Sequence, residues 1–350
     1  MNMKRKTIKT LLACTAILLL TVLFLGAAQE LVMPKYMTVS REGALISEYY
    51  AEKASHDLLF IGDCEVYEGI TPPTLWEEYG ITSYVRGSAQ QLAWHSYYLL
   101  EEMLREETPK AVVYNVLALK YGEPQDEAYN RLTLDGMQWS KSKLSAIRAS
   151  MTEDESFASY LFPLLRFHSR IRELTREDLT YFGHRDAVSH NGYLMQTEIR
   201  GGKAEISPSP LADYTLPATS MAYLERMRTL CEEKGVELIL IKAPTNDWRY
   251  HWYDEWDAQI CDYAAQNGLA YYNFIPLCDE IGIDWETDTY DVGVHLNVYG
   301  AEKLTSYLGR LLVENHGIVG HSDDAALDTV WNEKLARYYA ERDAGLPADK

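Results

Sequence analysis

The sequence predicts an α/β protein in which a parallel sheet is covered by helices on both faces. Two observations predict this class: short, continuous apolar runs of strand length, and longer amphipathic segments of helical period that alternate with them. The 350 residues are 47% apolar and 24% charged, an ordinary globular composition with enough chain to bury a substantial core. Because such folds bind ligands at the carboxyl ends of their strands, we expect the functional residues there.

The first element is a basic flank followed by an apolar run. Four basic residues lie within the first ten positions, and the 18 residues from 11 to 28 carry no charge. This pattern is typical of an export signal. The run is long enough to span a bilayer at about 1.5 Å per residue. We therefore predict residues 1–28 as an uncleaved signal anchor, with the following chain outside the cytoplasm. Cleavage after the small residues 26–28 and lipidation at Cys14 are the alternatives.

The alternating strands and helices begin after a linker at 29–54. Continuous apolar runs predict strands at 58–61, 82–85, 111–114, 236–241 and 269–274. Helical periodicity predicts helices at 90–106, 217–234, 253–267 and 299–314. Together these elements predict a main domain over residues 55–318.

Two stretches depart from this alternation. Residues 121–215 are too long for a connection, so we predict that they form a helical cap inserted into the main domain. Residues 319–350 are predicted as an acidic C-terminal tail, with one amphipathic helix at about 325–342 and a solvated charged surface.

Charge and cysteine usage exclude several functions. The chain has 33 Lys and Arg against 52 Asp and Glu, a net charge of −19. This balance argues against nucleic-acid binding and against a body that lies flat on anionic lipid. The five cysteines are odd in number and lack both CxxC and zinc-ligand spacing. No glycine-rich phosphate-binding motif occurs, and we predict neither a metal nor a cofactor.

One cysteine stands where chemistry is expected. Cys64 follows the first strand directly after Gly62-Asp63, and Asp291 and His295 lie just before the last helix of the domain. A nucleophile after a strand near the N-terminal end of the domain, with an Asp/His pair near its C-terminal end, composes a catalytic triad. In such a triad the histidine takes the thiol proton, and the aspartate fixes the tautomer of the histidine.

Three further residues border this predicted triad. Gly87 ends the second strand and offers a backbone N–H to an oxyanion, and Asn115 ends the third strand and offers a side-chain amide. Asp63 either contacts the site or caps the helix that follows.

The order of these residues resembles the SGNH/GDSL hydrolases. The wider sequence is similar to membrane-anchored SGNH-like proteins of Gram-positive bacteria, in the segments 60–67, 75–81, 96–99, 189–193 and 295–304. The resemblance covers about residues 55–315. It implies a flavodoxin-like three-layer α/β/α fold with a central parallel sheet, and it implies the catalytic and oxyanion roles given above.

Three features of this chain depart from that family. Cys64 stands where the family has its defining serine, and a thiol is the better nucleophile once ionised. The usual Asp-x-x-His spacing is longer by one residue between Asp291 and His295, which leaves Asp288 as an alternative partner for the histidine. Asn115 lacks the family's Gly-x-Asn-Asp context.

The resemblance implies an extracytoplasmic esterase or O-acyltransferase that acts on acyl esters of a cell-envelope polysaccharide. The transfer version implies a membrane-bound O-acyltransferase as partner. A second hypothesis is a catalytically inactive SGNH-like scaffold that binds glycan or such a partner, since the serine is replaced and the Asp/His spacing is altered. A thiol protease is a third, without support from any peptide-specificity pocket.

Overall fold

The computed structural model describes residues 2–34, 44–52, 54–181, 187–203, 208–321 and 324–345. It divides into two compact units. Unit 1 contains Met1–Val39 and Glu153–Asp186, and unit 2 contains Ser40–Thr152 and Ala187–Lys350. The stretch predicted as one cap at 121–215 is therefore divided, because its middle third belongs with the N-terminal helix.

Unit 2 is built on a parallel sheet with the strand order β2-β1-β3-β4-β5. The strands are β1 (Leu58–Gly62), β2 (Ser83–Gly87), β3 (Ala111–Asn115), β4 (Glu237–Lys242) and β5 (Ala270–Asn273). Every predicted run forms a strand within about a residue or two of its predicted bounds. Helices flank the sheet, which confirms the predicted three-layer α/β/α class.

The helices lie between and after these strands. In chain order they are α1 (Asn2–Val32), α2 (Leu45–Glu48), α3 (Cys64–Tyr67), α4 (Pro72–Tyr79), α5 (Ala93–Glu106), α6 (Glu127–Leu134), α7 (Lys141–Ser150), α8 (Phe157–Leu161), α9 (Leu164–Phe167), α10 (Arg176–Thr180), α11 (Ala218–Lys234), α12 (Trp248–His251), α13 (Asp254–Asn267), α14 (Cys278–Ile281), α15 (Val298–His316) and α16 (Ala325–Ala344). Short 3-10 turns cover Tyr49–Ala51, Val116–Lys120, His168–Arg172 and Ile275–Leu277.

The core of unit 2 lies against the sheet. Phe60 of β1 is fully buried and packs in one cluster with Leu75 of α4 and Leu304 of α15. Because side chains alternate along a strand, the neighbouring Leu59 and Ile61 face the opposite side, and both are fully buried too. Burial on both faces explains why these strands are continuous apolar runs rather than alternating ones.

The acidic C-terminal region contributes to this core. Trp331 and Tyr338 of α16 are each only 1% exposed. The Trp331 ring stacks on Trp76 of α4 with 5.3 Å between ring centroids. The predicted solvated tail is therefore corrected for this helix. Two large aromatic side chains anchor it to the domain, and Lys334 and Arg342 form ion pairs with Glu52 and Glu302.

The N-terminal helix of unit 1 is long and apolar. The segment Lys6–Val32 has 27 residues and a peak mean hydropathy of 2.6, and none of its most apolar window is buried. It is long enough to cross a membrane, as a signal sequence or an anchor would be.

Candidate active site

Cys64 lies at the carboxyl end of β1, as the first residue of α3. The chain turns from strand to helix at Gly62, where an added Cβ would lie 2.5 Å from Val66 Cγ2, so only glycine fits. Asp63 is the N-cap, and its carboxylate accepts a hydrogen bond from the Glu65 backbone N–H at 3.2 Å. This local geometry holds the half-buried Cys64 at the edge of the sheet.

Asp291 and His295 are joined by two hydrogen bonds within one tight loop. The Asp291 Oδ1 accepts the backbone N–H of His295 at 2.7 Å, and the Oδ2 lies 2.6 Å from the His295 Nδ1. The loop turns through two left-handed residues, Val292 at φ 66° and Gly293 at φ 90°. This turn absorbs the extra residue between the two, and it holds a β-branched side chain in a strained backbone conformation.

The other nitrogen of the imidazole contacts the thiol. His295 Nε2 lies 3.0 Å from Cys64 Sγ, so an unbroken chain of polar contacts runs from the thiol through the imidazole to Asp291. A carboxylate that accepts the Nδ1–H leaves Nε2 free to take a proton. The alternative partner, Asp288, is turned away: it binds Lys303 Nζ at 2.5 Å and the Asp284 backbone N–H at 2.8 Å.

Burial and nearby carboxylates hold the thiol in its neutral form. Burial raises the pKa of Cys64 to about 11, with Asp63 and Glu68 adding to the rise and His295 opposing it. Burial alone would lower the pKa of His295, but the negative charge of a Cys64 thiolate and the Asp291 hydrogen bond raise it well above its usual range. The imidazole thus becomes a stronger base as the thiol loses its proton, which suits general-base activation.

Asn115 does not present a free amide to the site. Its Nδ2 donates to Asp63 Oδ1 at 3.2 Å and to Glu65 Oε2 at 2.9 Å, and its Oδ1 accepts the Ala243 backbone N–H at 3.1 Å. Both N–H groups are committed to carboxylates, so the predicted oxyanion role is corrected: Asn115 supports the strand-to-helix turn instead.

Asp63 and Gly87 lie beside the nucleophile position. Asp63 is 5% exposed, and burial followed by the charge of Glu65 raises its pKa to about 6. Gly87 pairs with Gly62 across the two strands, and an added Cβ would lie 2.8 Å from the Gly62 carbonyl oxygen. The close approach explains the glycine, while its oxyanion role stays a prediction.

A buried ion pair beneath the site was not predicted. Lys242 and Glu65 are 177 positions apart, and Lys242 is fully buried. Its Nζ donates to both oxygens of Glu65 at 2.8 and 2.9 Å and to the Ala243 carbonyl at 2.7 Å. The position of Lys242 at the end of β4 was the available signal, since all strand ends meet at this edge.

Tyr290 lies against the imidazole. Its ring stacks on His295 with 6.0 Å between centroids, and its hydroxyl donates to Glu68 Oε2 at 2.9 Å. No sequence pattern distinguishes this tyrosine from the others.

A lysine and a second histidine border the triad. Lys120 follows β3, and its Nζ donates to the His251 carbonyl at 3.0 Å. Burial lowers the pKa of Lys120 to about 8.

The ring of His251 lies 6.4 Å from the His295 ring. Burial lowers the pKa of His251 to about 4, so His251 is neutral. The Lys120 ammonium also lies 5.1 Å from the Tyr121 ring centroid and 5.9 Å from that of Tyr250.

No known family model matches the chain, and no curated protein matches it. The solved structures that are similar include a candidate acylhydrolase from Bacteroides fragilis, with 11% identity and a TM-score of 0.38 over 78% of this chain and 95% of that one. They also include a GDSL-like lipase from Bacteroides thetaiotaomicron, with 12% identity and a TM-score of 0.38 over 78% of this chain and 99% of that one. Similarity at this level assigns neither a family nor an activity to the chain.

Proposed function

We propose that the chain is an SGNH-like acyl hydrolase or acyltransferase with Cys64 as nucleophile, His295 as general base and Asp291 as its orienting carboxylate. One observation carries the proposal: the contacts from Cys64 Sγ to His295 Nε2 at 3.0 Å and from His295 Nδ1 to Asp291 Oδ2 at 2.6 Å. A thiol, an imidazole and a carboxylate in this order have the geometry of covalent acyl transfer.

The first half-reaction forms a thioester. Cys64 Sγ attacks the acyl carbonyl carbon while His295 Nε2 takes the thiol proton. The tetrahedral oxyanion binds the backbone N–H groups of Cys64 and Gly87. The bond between carbonyl carbon and ester oxygen then breaks, and His295 returns the proton to the leaving alkoxide. Water or a sugar hydroxyl, deprotonated by His295, attacks the thioester and releases an acid or a new ester with the thiol restored.

The proposed substrate is an acyl ester of a cell-envelope glycan outside the cytoplasm. The support is the resemblance to membrane-anchored SGNH-like proteins, together with the N-terminal helix, which we propose as a single-pass signal anchor with its basic end in the cytoplasm. The aromatic rings of Tyr121 and Tyr250, which lie against the Lys120 ammonium, suit a sugar face. Transfer rather than hydrolysis requires a donor, for which we propose a membrane-bound O-acyltransferase.

The test is the intact mass of the full-length chain, in detergent, after exposure to a small activated acetyl ester. We expect an adduct of about 42 Da on Cys64. It should be absent in Cys64→Ala and much slower in His295→Ala. Cys261→Ala is the matched control, because Cys261 is exposed and remote from the triad. An adduct that survives in Cys64→Ala, or forms equally fast in His295→Ala, would contradict the proposal.

The second candidate is the inactive scaffold, which the neutral state of the thiol favours. With a pKa of about 11, Cys64 is not a preformed thiolate. Alkylation by iodoacetamide separates the two candidates. A catalytic thiol should react markedly more slowly in His295→Ala, whereas a scaffold thiol should react at the same rate in both proteins.

A further inference from the structure

Residues 153–181 of unit 1 pack around the end of the N-terminal helix. Arg170 Nη1 donates a hydrogen bond to the Val32 carbonyl oxygen at 2.9 Å. Val32 is 1% exposed, whereas the side chains of residues 6–27 are exposed. The segment therefore covers only the last turn of α1.

This contact has a definite depth if α1 spans a bilayer. The 18 uncharged residues at 11–28 rise about 27 Å at 1.5 Å per residue, which is close to the thickness of the hydrocarbon core. Val32 then lies just beyond the hydrocarbon, among the lipid headgroups. The segment that packs on it lies at the same level.

The segment exposes large apolar side chains. These exposed side chains are Leu161 (37%), Phe162 (56%), Leu165 (60%), Ile171 (59%) and Leu179 (60%). Five of them within 19 residues are unusual for a surface in contact with water. Short helical pieces that expose leucine, isoleucine and phenylalanine are typical of elements that lie in the plane of a membrane interface.

The middle of the segment is basic, although residues 153–181 as a whole carry four arginines against six acids. Residues 156–172 contain Arg166, Arg170 and Arg172 and no acidic residue, a charge of +3 within a chain of −19. The acids of the segment lie on either side, at 153–155 and 173–178, and Asp178 is paired with Arg170 at 3.0 Å. The net negative charge of the chain argues against binding of anionic lipid by the whole protein surface. The local positive charge of residues 156–172 still favours such binding.

We propose that residues 157–180 form a membrane-interface element that binds anionic lipid beside the proposed anchor. Leu165 and its apolar neighbours lie among the upper acyl chains, and the exposed Arg166 and Arg172 contact headgroup phosphates. This inference rests on the proposed membrane anchor and is independent of the chemistry at Cys64.

The test measures the depth of a nitroxide label at Leu165→Cys in the full-length chain reconstituted in nanodiscs. Cys14→Ala and Cys261→Ala remove the exposed native thiols, and that background without the new cysteine measures residual labelling. Val319→Cys is the matched control, because Val319 is 69% exposed and belongs to unit 2. Collisions with oxygen and with a water-soluble nickel chelate report whether each label is in lipid or in water.

With phosphatidylglycerol in the nanodisc, we expect nickel collisions at 165 to be at least about fivefold rarer than at 319, and oxygen collisions to be more frequent. Arg166→Glu with Arg172→Glu should restore nickel access at 165. Equal nickel access at 165 and 319 would overturn the proposal. Shielding that appears only after another membrane protein is added would overturn it in favour of a protein partner. A chain that fails to enter nanodiscs would refute both the proposed anchor and this inference. The proposed chemistry at Cys64 would not be affected, because the acetyl-adduct experiment tests it independently.

Discussion

Asp291 determines which proton His295 can accept. Its two oxygens take the Nδ1–H and the backbone N–H of the histidine, so the Nε2 lone pair points at the thiol. The hydrogen bond also lowers the pKa of Asp291 itself, although burial opposes this, so the carboxylate stays ionised at neutral pH. The residue acts by fixing a tautomer and by stabilising the imidazolium, and it keeps its own charge throughout.

Asp291→Asn should therefore lower the rate of acetyl-thioester formation at Cys64 by a factor on the order of 10³–10⁴, because an amide that donates to Nδ1 favours the wrong tautomer. Asp288→Asn is the matched control, since Asp288 binds Lys303 and not His295. The measurement is the rate of adduct formation by mass spectrometry, with melting temperatures to show that both variants fold. Equal losses in the two variants would contradict the assignment of Asp291.

The carboxylate of Glu68 is predicted to slow the nucleophile. Its charge contributes to the raised pKa of Cys64. Glu68→Gln removes that charge, so the pKa of the thiol should fall and more thiolate should be present at any pH below about 11. We expect faster alkylation of Cys64 at pH 7.5 than in the wild type, with Glu280→Gln, at an exposed and distant position, unchanged. An unchanged or slower rate in Glu68→Gln would refute this electrostatic role.

At the scale of elements, the ends of β3 and β4 are tied to α3 through Glu65. Lys242 at the end of β4 binds Glu65, and Glu65 accepts a hydrogen bond from Asn115 at the end of β3. Burial raises the pKa of Glu65, but the charge of Lys242 and the hydrogen bonds from Lys242 and Asn115 together lower it below its usual value, so Glu65 is ionised at neutral pH. The network holds Glu65, the residue next to Cys64, in place. The side-chain polar groups of Glu65, Asn115 and Lys242 are all paired within it.

Lys242→Met should destabilise the protein by about 3–5 kcal/mol, because it leaves the Glu65 carboxylate buried without a partner. The double variant Lys242→Met with Glu65→Met should recover most of that loss, since an apolar pair replaces the ion pair. Urea unfolding in mild detergent measures both. A double variant no more stable than the single one would show that the pairing is not the main role of Lys242.

Helix α16 is predicted to be held by its aromatic anchors. Trp331→Ala removes the ring that stacks on Trp76 and should lower the free energy of unfolding by about 3–5 kcal/mol. Val330→Ala, on the same helix and 43% exposed, is the matched control and should cost much less. Similar losses at both positions would mean that helix propensity rather than core packing dominates.

The strands and the three residues of the candidate site could be predicted from the sequence. Strands β1, β2 and β3 are predictable because both of their faces are buried, which favours continuous apolar runs. Cys64, Asp291 and His295 were predicted to meet because a nucleophile after an early strand and a late Asp/His pair compose a catalytic triad, and the structure brings their side chains into contact. Their catalytic roles remain a proposal.

The features that were not predicted depend on contacts between residues far apart in the chain, which a single sequence does not reveal. The amide of Asn115 was predicted to be free, but its partners lie 52 and 50 positions away. The partner of Lys242 lies 177 positions away. The charged composition of α16, with four acids and three bases, concealed two buried aromatic residues, since charged side chains dominate its mean hydropathy. The division of 121–215 follows from packing against α1, which periodicity alone does not predict.

At the scale of the whole molecule, the chain consists of two compact units with different chemistry. Unit 2 carries a polar chain of thiol, imidazole and carboxylate at the edge of a buried parallel sheet. Unit 1 carries a long apolar helix and, packed on its last turn, a segment with exposed apolar side chains and a basic middle part. The proposed ester chemistry rests on unit 2 alone, and the proposed membrane anchor rests on unit 1 alone.

The most direct measurement is a quenched time course of the Cys64 peptide mass, taken after the full-length chain is mixed with an activated acetyl ester at neutral pH. We expect a thioester on Cys64 that forms and then decays in the wild type, forms much more slowly in His295→Ala, and never forms in Cys64→Ala. A folded wild-type chain that acquires no acetyl group on Cys64 would contradict the central claim and favour the scaffold.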